Sequence, residues 1–189
     1  FRNIVYDLNY ASVYSHSNLF SKGDAIQKEI LGDSIGITMA GTIPGSVSSS
    51  AFDGDGLDLG SVRIVDSGRA VNYFGSNRYG QYLGEVPTGN LGCMAVDAGT
   101  AELSELSGMT CLEVISMSGL QVDFFSDYIG GEIRLAYLHE NGKCTPVTGI
   151  SISGKLTEIL PSIRLSKQVC VRDGYSGPDK ALFTGMKIF

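Results

Sequence analysis

The sequence has no tryptophan, only two histidines and five prolines, and no two cysteines at the spacing of a metal or redox motif. Each shortage excludes a class of chemistry. His16 has no second ligand three to five residues on, and one imidazole does not make a metal site. His139 precedes the turn Glu140-Asn141-Gly142 and is expected as a surface-loop residue. Cys93, Cys111, Cys144 and Cys170 fit neither a zinc ribbon nor a disulfide scaffold. They read as buried or half-buried free thiols in a reducing compartment, which makes the cytoplasm the expected location. No apolar run approaches the roughly 18–20 residues of a membrane span. Basic residues are few, 14 against 20 acidic, for a net charge of -6 and an isoelectric point near 4.8. That is the wrong sign for nucleic acid or an anionic membrane surface as partner. The pairs Gly142-Lys143 and Gly154-Lys155 lack the frame of a phosphate-binding loop.

Glycine is plentiful instead, at 25 of 189 residues, and its positions between short apolar runs imply many tight turns. With 43% hydrophobic and 18% charged residues, the composition is that of a folded protein, read as a single domain over residues 1–189. Arg2 to Tyr14 is rich in Val, Tyr and Ile and reads as strand-like, though Asn9 and Ser12 leave its type open. Ser21 to Leu31 places Ile26 and Ile30 four apart before Gly32, which predicts a short amphipathic helix. Ile35 to Met39 reads as a strand, Gly41 to Ser50 as a polar loop, and Ser61 to Phe74 as a hairpin turning at Asp66-Ser67-Gly68.

Asn77 to Gly92 is too broken by glycine for a regular element, and Ala101 to Leu106 allows one or two helical turns. Cys111 to Ser118 predicts a strand, and Gly131 to His139 with Gly142 to Ile152 a second hairpin, marked by its Asn-Gly step. Ser153 to Ile163 has helical spacing that Pro161 should end. Val169 to Val171 and Ala181 to Ile188 close the chain as strands. The expected class is α+β, mainly antiparallel and barrel-like, with two or three short helices.

Chemistry is sparse. Asp53-Gly54-Asp55-Gly56-Leu57-Asp58 looks like a calcium loop, but Ile64 stands where the twelfth-position glutamate belongs, so a solvated acidic turn is expected. Two aromatic groups remain: Tyr73-Phe74 with Tyr79 and Tyr82, and Phe124-Phe125 with Tyr128. Core packing competes there with a groove that takes an extended peptide by strand addition. A peptidase built on His16, Cys170 and an acid has nothing in the sequence to orient it.

The segment Ser118 to Lys143, with its Glu140-Asn141-Gly142-Lys143 turn, followed by Thr145-Pro146-Val147-Thr148-Gly149 and on to Leu156, resembles the TldD/PmbA family. That family, also known as modulators of DNA gyrase and peptide-maturation metalloproteases, shows the same order of strand, ENGK turn and PV.G..I.GN segment. Phe52-Asp53-Gly54-Asp55-Gly56 ahead of the first hairpin resembles its D.EG segment, and Thr88-Gly89-Asn90 its STGN. The resemblance covers nearly the whole chain and implies the C-terminal domain, without the family's N-terminal α/β domain.

It further implies a cytoplasmic metalloprotease, built as a dimer, that acts on unstructured peptides. The TldD-type subunit carries zinc on an HExxxH helix and a later cysteine, and the PmbA (TldE) partner carries none. Counted back from Ser12-Val13-Tyr14, the HExxxH positions fall near Arg2, Asn3 and Asp7: neither histidine is present, and Asn3 cannot serve as general base. The cysteine position falls near Ser176-Gly177-Pro178, with Cys170 too early. The expectation is therefore a PmbA-like domain holding no metal or other cofactor, with zinc only in a TldD-type partner. It would form a homodimer, or a heterodimer with that partner, and bind unfolded peptide through Phe124, Phe125 and an edge strand at Gly130, Gly131 and Glu132. The alternative is a non-proteolytic binding or assembly protein that retains the fold.

Overall fold

The computed structural model describes the backbone of residues 1–189 and every side chain except those of residues 106 and 107. Along the chain come helices α1 (Arg2–Asp7) and α2 (Tyr10–Tyr14), then strands β1 (Ile37–Ala40), β2 (Ser61–Asp66) and β3 (Arg69–Ala70). Helix α3 (Asn77–Leu83), strand β4 (Cys93–Val96) and helix α4 (Leu103–Ser107) follow. Next are β5 (Cys111–Asp123), β6 (Tyr128–Glu140), β7 (Lys143–Val147), β8 (Ile150–Gly154) and helix α5 (Leu156–Ile159). The chain ends with β9 (Arg164–Leu165), β10 (Val169–Arg172), β11 (Tyr175–Pro178), β12 (Ala181–Leu182) and β13 (Lys187–Ile188). The class is α+β with mostly antiparallel pairing, as expected. The sheets are open rather than barrel-like, and the helices among the described residues number five.

Two compact units form. The first comprises Phe1–Lys28, Ser34–Ala98 and Val169–Asp179. Its six-stranded sheet has the order β10-β11-β4-β1-β2-β3, and only β11 and β4 run parallel. Ile37 on β1 pairs with Val96 and Val65 on its two neighbours, and Ile37, Ile64 and Val65 are fully buried. The β2–β3 turn sits at Ser67 (φ 47°) and Gly68 (φ 72°), the two left-handed residues that a tight hairpin requires.

The opening segment is helical, not strand-like. Ile4 and Leu8 are buried one turn apart, and the Asn9 side chain caps α2 by accepting from the Ala11 amide at 3.0 Å. Conversely, no helix forms at 21–31, because the Ile26 and Gln27 amides donate to the Gly68 carbonyl at 2.9 and 3.0 Å. The hairpin turn has taken the donors a helix would need. Residues 77–83 form a helix despite the glycines, since Ser76 caps it and Gly84 ends it in the left-handed conformation.

The second unit comprises Glu29–Asp33, Gly99–Gln168 and Lys180–Phe189. Its main sheet has the order β13-β8-β6-β5, and β7 also pairs with β6. The β6–β7 turn has Asn141 at φ 52° and Gly142 at φ 72°, as the Asn-Gly step predicts. The strand expected over 142–152 is divided at residues 148–149, and both parts pair with β6. Strand β5 meets β6 with register shifts between Val114/Ser116, Ser116/Met117 and Ser118/Gln121. Helix α5 is one turn, not the span 153–163, because Ser153 and Gly154 are held in the β8 ladder against Gly130 and Ile129. The Asp33 carboxylate anchors this unit, accepting from the Thr100 amide and hydroxyl and from the Leu165 amide at 3.1, 2.8 and 2.7 Å.

Candidate functional site

Helical spacing places Arg2, Val5, Tyr6 and Asn9 on one side of the first turns of the chain. In the first unit these residues line an open cleft of about 440 Å³, whose floor is completed by Met39 of β1, Phe74, Asn90 and Leu91. The α1–α2 corner is tied down there, since the Tyr10 amide donates to the Phe74 carbonyl at 2.7 Å and the Phe74 amide to Leu8 at 3.2 Å. The size suits a small ligand or a short stretch of peptide.

One rim is built from two segments singled out in the sequence. Asp53 Oδ2 accepts from the Asn90 amide at 3.1 Å, and Oδ1 from the Asp55 and Leu57 amides at 3.0 and 3.1 Å. These donors, Asn90 first, hold the Asp53 carboxyl below the usual carboxylate range. The acidic turn thus braces Asn90. Between them Gly89, at φ +79°, comes so close that a Cβ would stand 2.2 Å from the Leu59 side chain.

The family's metal can be tested against these residues. Arg2 and Asn3 stand exposed on α1, and Asp7 is buried with its carboxylate accepting from the Leu19 and Phe20 amides at 2.7 and 2.8 Å. A guanidinium, an amide and a carboxylate already occupied by backbone amides do not fit zinc. Among the described residues no group of three or more His, Cys, Asp or Glu is placed to hold a metal ion. Cys170 lies on β10 opposite Gly177 of β11, its thiol pushed up chiefly by burial. His16 is exposed just beyond α2.

In the second unit Phe124 and Phe125 occupy the turn between β5 and β6; Phe124 is half-buried and Phe125 is 67% exposed. Asp123 shapes this turn by accepting from the Phe125 amide at 2.9 Å. Gly130, Gly131 and Glu132 do not form an edge. They lie in β6, flanked by β5 and β8: Gly130 pairs with Gln121 and Ser153, Gly131 with Ile152, and Glu132 with Ser118 and Ser151. Their backbone has no free side for an added strand. His139 is likewise in β6 rather than in a loop, half-buried, with Nε2 bonded to Glu113 at 2.8 Å. Lys180 also pairs with Glu113, and these two partners, Lys180 first, hold the Glu113 carboxyl below its usual range. Of the cysteines, Cys93 is buried, Cys111 and Cys170 are half-buried and Cys144 is exposed, against the expectation that all would be covered.

Residues 2–188 match the model of the PmbA/TldA metallopeptidase C-terminal domain. The chain belongs to this family. Among solved structures, a candidate modulator of DNA gyrase from Bacteroides thetaiotaomicron is similar at a TM-score of 0.76 and 20% identity over 97% of this chain. A candidate modulator of a DNA gyrase from Thermotoga maritima is similar at 0.76 and 17% identity over 99%, and TldE from Thermococcus kodakarensis at 0.75 and 16% over 98%. At these identities the likeness speaks for the PmbA/TldA-type fold alone. The chain spans 42%, 47% and 44% of those three proteins, less than half of each. No curated protein matches it.

The cavity residues Arg2, Tyr6, Met39, Phe74 and Leu91 were not legible as a site from sequence. Only the spacing of residues 2, 5, 6 and 9 carried a signal, and it required the segment to be helical.

Proposed function

We propose that this chain is a metal-free, TldE-like domain that works with a zinc-bearing TldD-type subunit in a cytoplasmic peptidase acting on unstructured peptides. The observation that carries the reading is the face α1 turns to the cavity: Arg2, Val5 and Tyr6 stand there, with no imidazole or carboxylate among them. Membership of the metallopeptidase family and likeness to a TldE fold support it. In this reading the domain supplies dimer contacts and holds peptide, while hydrolysis belongs to the partner. Phe124 and Phe125 are proposed as peptide contacts at the β5–β6 turn. Gly130, Gly131 and Glu132 would contribute through the face of their sheet, since neither side of their strand is open.

The test is elemental analysis of the purified protein before and after exposure to zinc, alone and in complex with a TldD-type subunit. The expected result is no tightly held zinc in the protein alone, and zinc and peptidase activity in the complex. About one tight zinc per chain in the protein alone would overturn the reading and make it a peptidase in its own right. Failure to bind any TldD-type subunit would favour the non-proteolytic assembly protein.

A further inference from the structure

The cleft beside α1 has an uneven lining: Val5, Met39, Phe74 and Leu91 give it an apolar floor, and among the described residues Arg2 is the only ionisable cation on its wall. The other six arginines each meet a partner. Arg63, Arg134, Arg164 and Arg172 each pair with a carboxylate, Arg69 donates to the Gly23 carbonyl at 3.1 Å, and Arg78 lies over the rings of Tyr79 and Tyr82. Arg2 has no carboxylate within ion-pair distance among the described residues, in a chain whose acids outnumber its bases. The nearby acid Asp53 stands behind Asn90 and is engaged by three backbone amides.

We infer that this cavity binds the carboxylate end of an apolar ligand. The Arg2 guanidinium takes the carboxylate through its paired donors, and the apolar tail rests against Met39, Phe74 and Leu91. A guanidinium fork matches a carboxylate in geometry and charge, and the apolar wall beyond it selects against a polar tail. Two sources share this chemistry, the free C-terminus of a peptide and a small aliphatic acid. The peptide source rests on the peptidase reading above, and the carboxylate chemistry does not.

The test measures binding to the full-length protein of acetyl-Ala-Ala-Leu as free acid, the same tripeptide as C-terminal amide, and 4-methylpentanoate. The free acid is expected to bind at least about tenfold more tightly than the amide. Arg2→Gln is expected to abolish that preference, and Arg2→Lys to keep part of it, because the charge remains while the fork is lost. Arg2 is exposed, so both variants should fold, which circular dichroism checks. Tight binding of the tripeptide acid alone assigns a peptide terminus; equal binding of 4-methylpentanoate assigns a small acid, and either upholds the inference. Equal affinity for acid and amide, a preference that survives Arg2→Gln, or no binding of any probe would overturn it. The zinc and complex measurements decide the peptidase reading separately, so the two can fail independently.

Discussion

The two units build their sheets from strands of opposite character. In the first, β1 and β4 are four residues long and alternate or run buried, and Ile37, Ile64, Val65 and Cys93 are wholly shielded from water. In the second, β5 runs for thirteen residues without one fully buried side chain, and Ile115 and Leu120 are each 53% exposed. The first sheet is held by its core. In the second sheet the buried side chains, Ile133 and Ala136, lie on β6, and the outer strand β5 is held more by backbone pairing and by side-chain bridges such as Glu113 with His139 and Lys180. The lesson is that strand length says little about how much hydrophobic burial stabilises a sheet.

Substitutions should separate these two regimes. The largest effect is expected from Ile37→Ala, which leaves a cavity at the centre of the first sheet and should cost about 2–5 kcal/mol in denaturant unfolding. A comparable loss from Ile115→Ala on β5 would erase the contrast. Gly142→Ala, at φ 72° with open space around its Cβ position, should cost about 1 kcal/mol through the backbone alone. Gly54→Ala, also open but without a positive φ, should be nearly neutral in the same assay.

Glu113→Gln should cost no more than Gly142→Ala, about 0.5–1 kcal/mol near neutral pH, since its bridges are partly solvated. Because folding lowers the Glu113 pKa, the wild-type advantage is complete above the ordinary glutamate value of about 4.3 and is lost as pH falls through the folded value. Unfolding of both proteins from pH 7 down to pH 3 should show the difference shrinking toward the acid end; a difference independent of pH would remove the ionic explanation. Phe125→Ala should change stability by under about 0.5 kcal/mol, while weakening peptide capture. If it unfolds the protein instead, Phe125 belongs to the packing of its unit.

Legibility followed the range of the determining contacts. The Asn141-Gly142 and Ser67-Gly68 turns were readable because two adjacent residues settle a hairpin locally. The segment 21–31 was not, since its amides are claimed by a carbonyl some forty residues later in the chain. Helix α3 was hidden by glycines that a propensity reading counts against it, although Ser76 and Gly84 mark its two ends. Strand β11 was hidden by Gly177 and Pro178, which strand propensity counts against it. The cavity required residues 2–9, 39, 74 and 90–91 to meet, which no local pattern encodes.

The register shifts along β5 bear on what the molecule avoids. A long, straight outer strand with exposed Val114, Ile115 and Leu120 would template the stacking of copy upon copy into fibres. Each shift kinks the strand and puts its outward N–H and C=O groups out of step with a second straight strand. The same irregularities make the exposed apolar edge of this hairpin a poorer template for a second straight strand.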